Sequence, residues 1–332
     1  MWALNNETAY AAERTWVRDK LGRHHWIVVV KATFELDARG KLGLSDQQVP
    51  PLHEPAYFGE PGRSSLRYEA DLVAMKPGTD VTANSHAHAP GSRAAREVVV
   101  GLRVANLQKL LVVRGESRYT SRFTESRPEP FVTRPIVYEL AYGGTDTLDA
   151  DPHEHGIDPR NPVGVGFATR RKHLIGRLAP SVVYPNGDPA KRGPAGFGAL
   201  ASYWSPRRER GGTYDDNWAK NKKPLLPDDW DETALLCAPA DQRPQERMRG
   251  GELVELINLT PEGVLRFELP RICVMCTTRI SGRLSESRCE LASVIIEPED
   301  RRLIMVWQSS QYIGNADVEY LDESRTWEKP CS

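Results

Sequence analysis

Residues 253–269 read Leu253-Val254-Glu255-Leu256-Ile257-Asn258-Leu259-Thr260-Pro261-Glu262-Gly263-Val264-Leu265-Arg266-Phe267-Glu268-Leu269. Leu265, Phe267 and Leu269 alternate with Arg266 and Glu268, a period of two that gives one apolar and one wet face. The link Thr260-Pro261-Glu262-Gly263 has Pro at the second and Gly at the fourth position, as a type I turn prefers. The stretch therefore predicts an antiparallel hairpin. A second hairpin reads Ser293–Ile296, then Glu297-Pro298-Glu299-Asp300, then Leu303–Trp307. A third begins with Trp26–Leu36 and turns at Asp37-Ala38-Arg39-Gly40. Further β-rich runs are Val98–Val104, Leu110–Val113, Arg118–Phe123 and Pro135–Leu140. Long helices are scarce. Tyr10–Lys20 suits a helix on propensity or a strand through Thr15, Trp16 and Val17, and Asp241–Arg249 holds one short helical turn.

Between β-rich ends at residues 1–141 and 251–330, residues 142–250 are dense in Gly, Pro, Asp and Arg, as in Asp158-Pro159-Arg160-Asn161-Pro162. Such residues punctuate regular structure rather than propagate it. The same segment carries Tyr184, Tyr203, Trp204, Tyr214, Trp218 and Trp230, each able to bury a large area. Ordered, irregular loops packed on a β scaffold are expected, and long ordered loops are usually functional. The expected fold class is mainly β: an antiparallel, sandwich-like scaffold with a long loop-rich centre and few short helices. It forms three parts or one continuous domain.

The 332 residues suffice for a full hydrophobic core without staples. A hydrophobic share of 39% and a charged share of 27% fit a globular chain rather than a disordered one. A net charge of −1 argues against a protein whose task is gripping nucleic acid, which needs a strong positive field. The longest apolar run, Trp26–Val30, falls far short of the ~20 residues of a spanning helix, so no membrane is expected. Met1–Thr15 holds Asn5, Asn6, Glu7, Glu13 and Arg14, unlike a signal peptide, and a cytoplasmic location is expected. The five cysteines, an odd count, do not read as a disulfide framework.

Candidate chemistry is sparse. Cys273-Val274-Met275-Cys276 has ligand-like spacing, but a structural zinc needs four ligands, and no second knuckle follows. These thiols read as buried and idle. His86-Ala87-His88 and His153-Glu154-His155 would each face one way on a strand. Nothing brings the two pairs together, so no metal or cofactor is expected, although a metal-dependent hydrolase using these four histidines is the rival reading. The run Asp146, Asp149, Asp151, Asp158 resembles a calcium loop. Laid on the EF-hand template from Asp149, it puts Glu154 where Gly belongs and Arg160 where Glu belongs. Gly164-Val165-Gly166 starts like a dinucleotide fingerprint but has Thr169 at its third glycine position and follows Asn161-Pro162. Asp228, Asp229, Asp231 and Glu232 read as solvated acids rather than an acid/base pair. Basic clusters lie at Arg170–His173, Arg207–Arg210 and Lys220–Lys223, interrupted by Glu209, Asp215 and Asp216. Protein binding is favoured there over nucleic acid, because Trp, Tyr and Arg are enriched at interfaces. Tyr203, Trp204, Tyr214, Trp218 and Trp230 are the candidate partner-binding residues, and no catalytic residue is expected.

The order of several loop motifs resembles the bacterial family catalogued as domain of unknown function 2169. They are Lys76-Pro77-Gly78-Thr79-Asp80-Val81, Ala141-Tyr142-Gly143-Gly144-Thr145-Asp146 and Asn161-Pro162-Val163-Gly164-Val165-Gly166. Gly212-Thr213-Tyr214-Asp215 with Trp218, Pro224–Asp229, Ala238–Gln242, Gly250-Gly251-Glu252 and Val294–Pro298 with Val306-Trp307 complete the set. One departure is Asn84-Ser85, where the family pattern has a glycine. The resemblance implies an accessory protein of type VI secretion: an adaptor or chaperone that stabilises a secreted effector and seats it on the spike or its tip protein. It carries over no catalytic residues. A structural part of the secretion apparatus is a further alternative.

Overall fold

The computed structural model describes residues 3–314 and 321–331. Three sheets carry the fold. The largest orders strands Ala11–Arg18, His24–Leu36, Arg302–Gly314, Glu290–Glu297 and Asp80–Ala83, with Leu42–Leu44 pairing on His24–Leu36. A five-stranded sheet orders Val182–Val183, Leu107–Arg114, Glu97–Val104, Leu253–Ile257 and Val264–Glu268. A four-stranded sheet orders Ala3–Asn6, Leu321–Lys329, Cys273–Ile280 and Arg283–Arg288. Pairing in these sheets is antiparallel except for Ala3–Asn6 beside Leu321–Lys329 and Asp80–Ala83 beside Glu290–Glu297. Each sheet takes strands from both β-rich ends of the chain, and one connected core spans all three. The protein is mainly β, and no helix among the described residues is long and apolar enough to cross a membrane.

All three hairpins form. Leu253–Ile257 pairs with Val264–Glu268, and Gly263 N donates to Thr260 O at 3.0 Å to close the turn. Glu290–Glu297 pairs with Arg302–Gly314, and His24–Leu36 with Leu42–Leu44. Tyr10–Lys20 resolves as the edge strand Ala11–Arg18, where pairing with His24–Lys31 outweighs helix propensity. Three expectations are corrected. Arg118–Phe123 makes only the isolated bridges Arg118–Leu178 and Tyr119–Glu125, because Ser121–Thr124 closes a tight polar turn. The run Pro135–Leu140 leaves its strand at Ile136 and turns at Tyr138–Leu140. Finally, Cys273 is not an idle thiol. It is bonded to Cys331, just past the end of the neighbouring strand Leu321–Lys329, with Cα atoms 5.4 Å apart, while Cys237, Cys276 and Cys289 are buried free thiols.

Strand His24–Leu36 explains the unbroken apolar run Trp26–Val30. Trp26, Val28, Val30, Ala32 and Phe34 enter the main core, whereas Ile27 and Val29 enter a second cluster with Ile295, Ile304 and Val306. Both faces of the large sheet are thus covered, which removes the apolar/polar alternation of a one-sided strand. Buried polar groups fasten the outer cover. Lys31 Nζ donates to Asp71 Oδ2 at 2.7 Å, and Gln308 Nε2 to Asp71 O at 3.1 Å. Gln308 Oε1 in turn accepts from Lys76 N at 3.0 Å.

Lys76 and Asp80 are only 3% and 1% exposed. Lys76 Nζ donates to Asp80 Oδ2 at 2.8 Å and to Ser293 Oγ at 2.9 Å. Asp80 also accepts from the amides of Cys237 and Ala238, both at 2.9 Å, and so ties the large sheet to the loop-rich centre. Burial opposes the charge on Asp80, but Lys76 and the two amides hold its carboxyl below the usual range. Burial, then the Asp80 charge, pushes the Cys237 thiol up to about 12. Removing one partner of such a pair strands the other charge in the interior. Asp80→Ala is expected to lower the unfolding free energy by roughly 3–5 kcal/mol in chemical denaturation. The double change Lys76→Met, Asp80→Leu is expected to cost less than Asp80→Ala alone, because no charge is left unpaired.

Candidate functional site

The loop-rich centre and the outer cover of the large sheet meet in two adjoining grooves. The first, of about 670 Å³, is lined by Val17, Leu21, Ile27 and Met75 with charged residues on either side. The second, of about 630 Å³, is lined by Tyr203, Tyr214, Val73 and Arg208. Trp230 and Leu235 line both, so the two grooves, together the trough, adjoin at these residues.

Hydrogen bonds of the flanking acids set the position of Trp230. Asp229 accepts from Thr213 N at 3.0 Å and Thr213 Oγ1 at 2.7 Å, bonds that hold its carboxyl below the usual range. Asp231 accepts from Thr233 N at 2.8 Å and caps the short turn Glu232–Leu235, while its own N donates to Arg210 O at 2.9 Å. These acids therefore close turns. Arg207, assigned by sequence to a surface basic cluster, is 4% exposed and clamps the same loop. Its Nε and Nη2 donate to Ala234 O at 3.1 and 2.9 Å, and its Nη1 to Glu69 Oε2 at 2.6 Å.

Of the five candidate partner-binding residues, three line the trough: Tyr203, Tyr214 and Trp230. Tyr203 and Tyr214 are exposed, and Trp230 is half-buried. Trp218 is half-buried outside the two linings, its ring edge-on to Tyr214 at 4.7 Å and its Nε1 donating to Leu225 O at 2.8 Å. Trp204 is completely buried, edge-on to Tyr138 at 5.5 Å, and belongs to the core rather than to the trough. Sequence reasoning missed the other wall. Arg18–Arg23 and Ala74–Met75 come from distant parts of the chain, and no local pattern marks them.

The remaining candidates are placed elsewhere. His86 and His88 both face Glu299, His88 Nε2 at 2.6 Å and His86 Nδ1 at 3.7 Å from Glu299 Oε1. His155 contacts Asp149 O at 2.9 Å in a separate loop, so the two histidine pairs do not share a site. Among the described residues no group of three or more His, Cys, Asp or Glu is arranged to hold a metal ion. In the acidic run, Asp158 pairs with Arg160 at 2.6 Å and Asp149 with Arg170 at 2.8 Å. Asp146 accepts from Thr169 N, Thr169 Oγ1 and His173 Nδ1 at 2.9, 3.0 and 2.8 Å. Gly164 serves close packing: a Cβ there would lie 2.3 Å from Asn161 Nδ2 and 2.7 Å from Ala141 O.

The sequence profile of a family described as uncharacterized protein conserved in bacteria (DUF2169) matches residues 21–308. The chain belongs to this family. No curated protein and no solved structure matches it. The DUF2169 motifs noted in the sequence map onto buried fastenings more than onto the trough surface. Lys76–Val81 supplies the buried ion pair. Asn161, fully buried, donates from Nδ2 to Tyr138 O and Tyr142 O at 2.8 and 3.1 Å. Gln242 donates to Val81 O and Phe197 O, both at 2.9 Å. At the Asn84-Ser85 departure the backbone needs no glycine: Asn84 has no positive φ, and its side chain donates to Glu297 Oε1 at 3.1 Å.

Burial raises the Asp146 carboxyl, but His173, Leu148 N and Thr169 more than offset it and hold the group well below its ordinary value. A depressed carboxylate contributes stability above the unfolded value near 3.9 and loses it as the pH falls. Denaturation midpoints of the wild type are therefore expected to fall steeply below about pH 4. Asp146→Asn is expected to be less stable at neutral pH and to show a flatter acid limb.

Proposed function

We propose that this DUF2169 member works by binding. It is a cytoplasmic adaptor or chaperone of type VI secretion that stabilises a secreted effector and helps seat it on the spike or its tip protein. The observation that carries the reading is the trough, where two exposed tyrosines flank a tryptophan held by a hydrogen-bonded loop. Concave, aromatic-lined surface with a polar rim is what protein recognition uses, and Trp, Tyr and Arg supply most binding energy there. A preformed loop lowers the ordering cost of binding. The family resemblance supplies the pathway, and the trough supplies a place for the client. Catalysis plays no part in this reading.

The test is affinity for the effector encoded in the same secretion locus. Trp230→Ala is expected to weaken capture by about 2 kcal/mol, roughly 30-fold in Kd, and Tyr203→Ala and Tyr214→Ala by smaller amounts. Trp218→Ala, at a half-buried tryptophan that does not line the trough, serves as the comparison. Unchanged affinity in folded Trp230→Ala would remove the trough from the proposal. Stoichiometric zinc or iron in the purified protein would favour the hydrolase alternative. Recovery of the protein in secreted particles would favour a structural part of the apparatus.

A further inference from the structure

Residues 118–126 form a small hairpin with no part in the trough. Its apex presents Phe123, the most exposed large apolar side chain among the described residues at 75%. The apex is held by its own bonds. Thr120 N donates to Thr124 O at 2.9 Å, and the amides of Phe123 and Thr124 both donate to Ser121 Oγ at 3.2 Å. The hairpin is also fastened to the loop that follows Leu174. Tyr119 N donates to Arg177 O at 3.0 Å, Gly176 N to Tyr119 O at 2.8 Å, and Arg118 Nη1 to Gly176 O at 3.1 Å. Arg171 lies over the Phe123 ring, 5.2 Å from its centroid.

The surrounding charge is one-sided. Segments 116–127 and 170–177 hold seven Arg or Lys residues against Glu116 and Glu125, in a chain of net charge −1. Arg122, Arg127, Arg171 and Lys172 pair with no carboxylate among the described residues. Ile175, on the same loop, is 53% exposed. Beyond the Arg171 contact, an ordered phenylalanine in water gains little for the isolated chain, since three-quarters of it stays wet. Against a partner, that ordering lowers the cost of docking. Unpaired cations around an apolar tip complement carboxylates around an apolar socket. Phosphate would engage the cations but leave Phe123 and Ile175 without apolar contact. Asp149 and Glu154, which hold Arg170 at 2.8 and 3.2 Å, border the patch and oppose a polyanion.

We propose that the 118–126 tip is a second docking face, which inserts Phe123 into an apolar socket on an acidic protein surface. An adaptor with a concave trough and a separate convex tip can hold two proteins at once. The tip does not depend on what the trough binds.

Photo-reactive benzoyl-phenylalanine at position 123 of the intact chain, irradiated in the bacterium that encodes it, tests the proposal. One defined protein adduct is expected, mapped by mass spectrometry to a stretch in which Asp and Glu outnumber Lys and Arg. Arg171→Glu with Lys172→Glu is expected to reduce its yield about tenfold at an unchanged melting temperature. The same photo-reactive group at exposed Leu284 is expected to give no such adduct. Nuclease-sensitive adducts, adducts to a surface without carboxylate excess, or no defined adduct would each overturn the proposal. So would a yield indifferent to the charge reversal, or the same adduct from position 284.

Discussion

The Lys76–Asp80 ion pair is the constraint on which the arrangement of sheet, cover and central loops depends. Two charges sealed from water are tolerable only when every remaining lone pair and proton is answered. Here the answers come from two distant parts of the chain: Ser293 on the neighbouring strand, and the Cys237 and Ala238 amides from the loop-rich centre. Through Gln308 the same network reaches Asp71, and through Asp71 it reaches Lys31 on strand His24–Leu36 of the large sheet. The irregular centre therefore behaves as a fitted part of the core. A linker could not supply amides at fixed positions to a buried carboxylate.

The trough follows from that fastening. Val73, Ala74 and Met75, just before Lys76, form part of its walls. Loop 226–235 forms another part, clamped by buried Arg207 and closed by Asp229 and Asp231. Charged residues that could be mistaken for reactive groups thus hold the backbone still beneath exposed aromatics. Rigid support under an adaptable surface is how loops carry binding function on a β scaffold. The Phe123 tip repeats the pattern on a smaller scale, with Ser and Thr hydroxyls in place of buried ions.

Much of the scaffold was legible locally. Alternation in Leu265–Leu269 and the Pro–Gly turn at 260–263 predicted a hairpin that forms, with its first strand ending at Ile257 rather than Leu259, because both signals act between residues close in sequence. The limits have equally local causes. Arg118–Phe123 looked β-rich by composition, yet hydroxyl-to-backbone bonds at Ser121 and Thr124 outbid strand pairing. Trp204 and Trp230 look alike in a loop-rich sequence, yet one is sealed against Tyr138 and the other lines a groove. Nothing near either residue distinguishes them.

The amino-acid sequence by itself determined the β class, the hairpins, the ordered character of the centre and membership of the DUF2169 family. Those rest on period, turn chemistry and motif order, which are readable along one dimension. Only the tertiary structure decided which strands from the two ends share a sheet, that Cys273 meets Cys331, and that Arg207 is a clamp. It also gathered Arg18–Arg23, Ala74–Met75 and Trp230 around one trough. Such outcomes depend on contacts between residues tens to hundreds of positions apart, where burial and partner geometry rather than local propensity set the free energy.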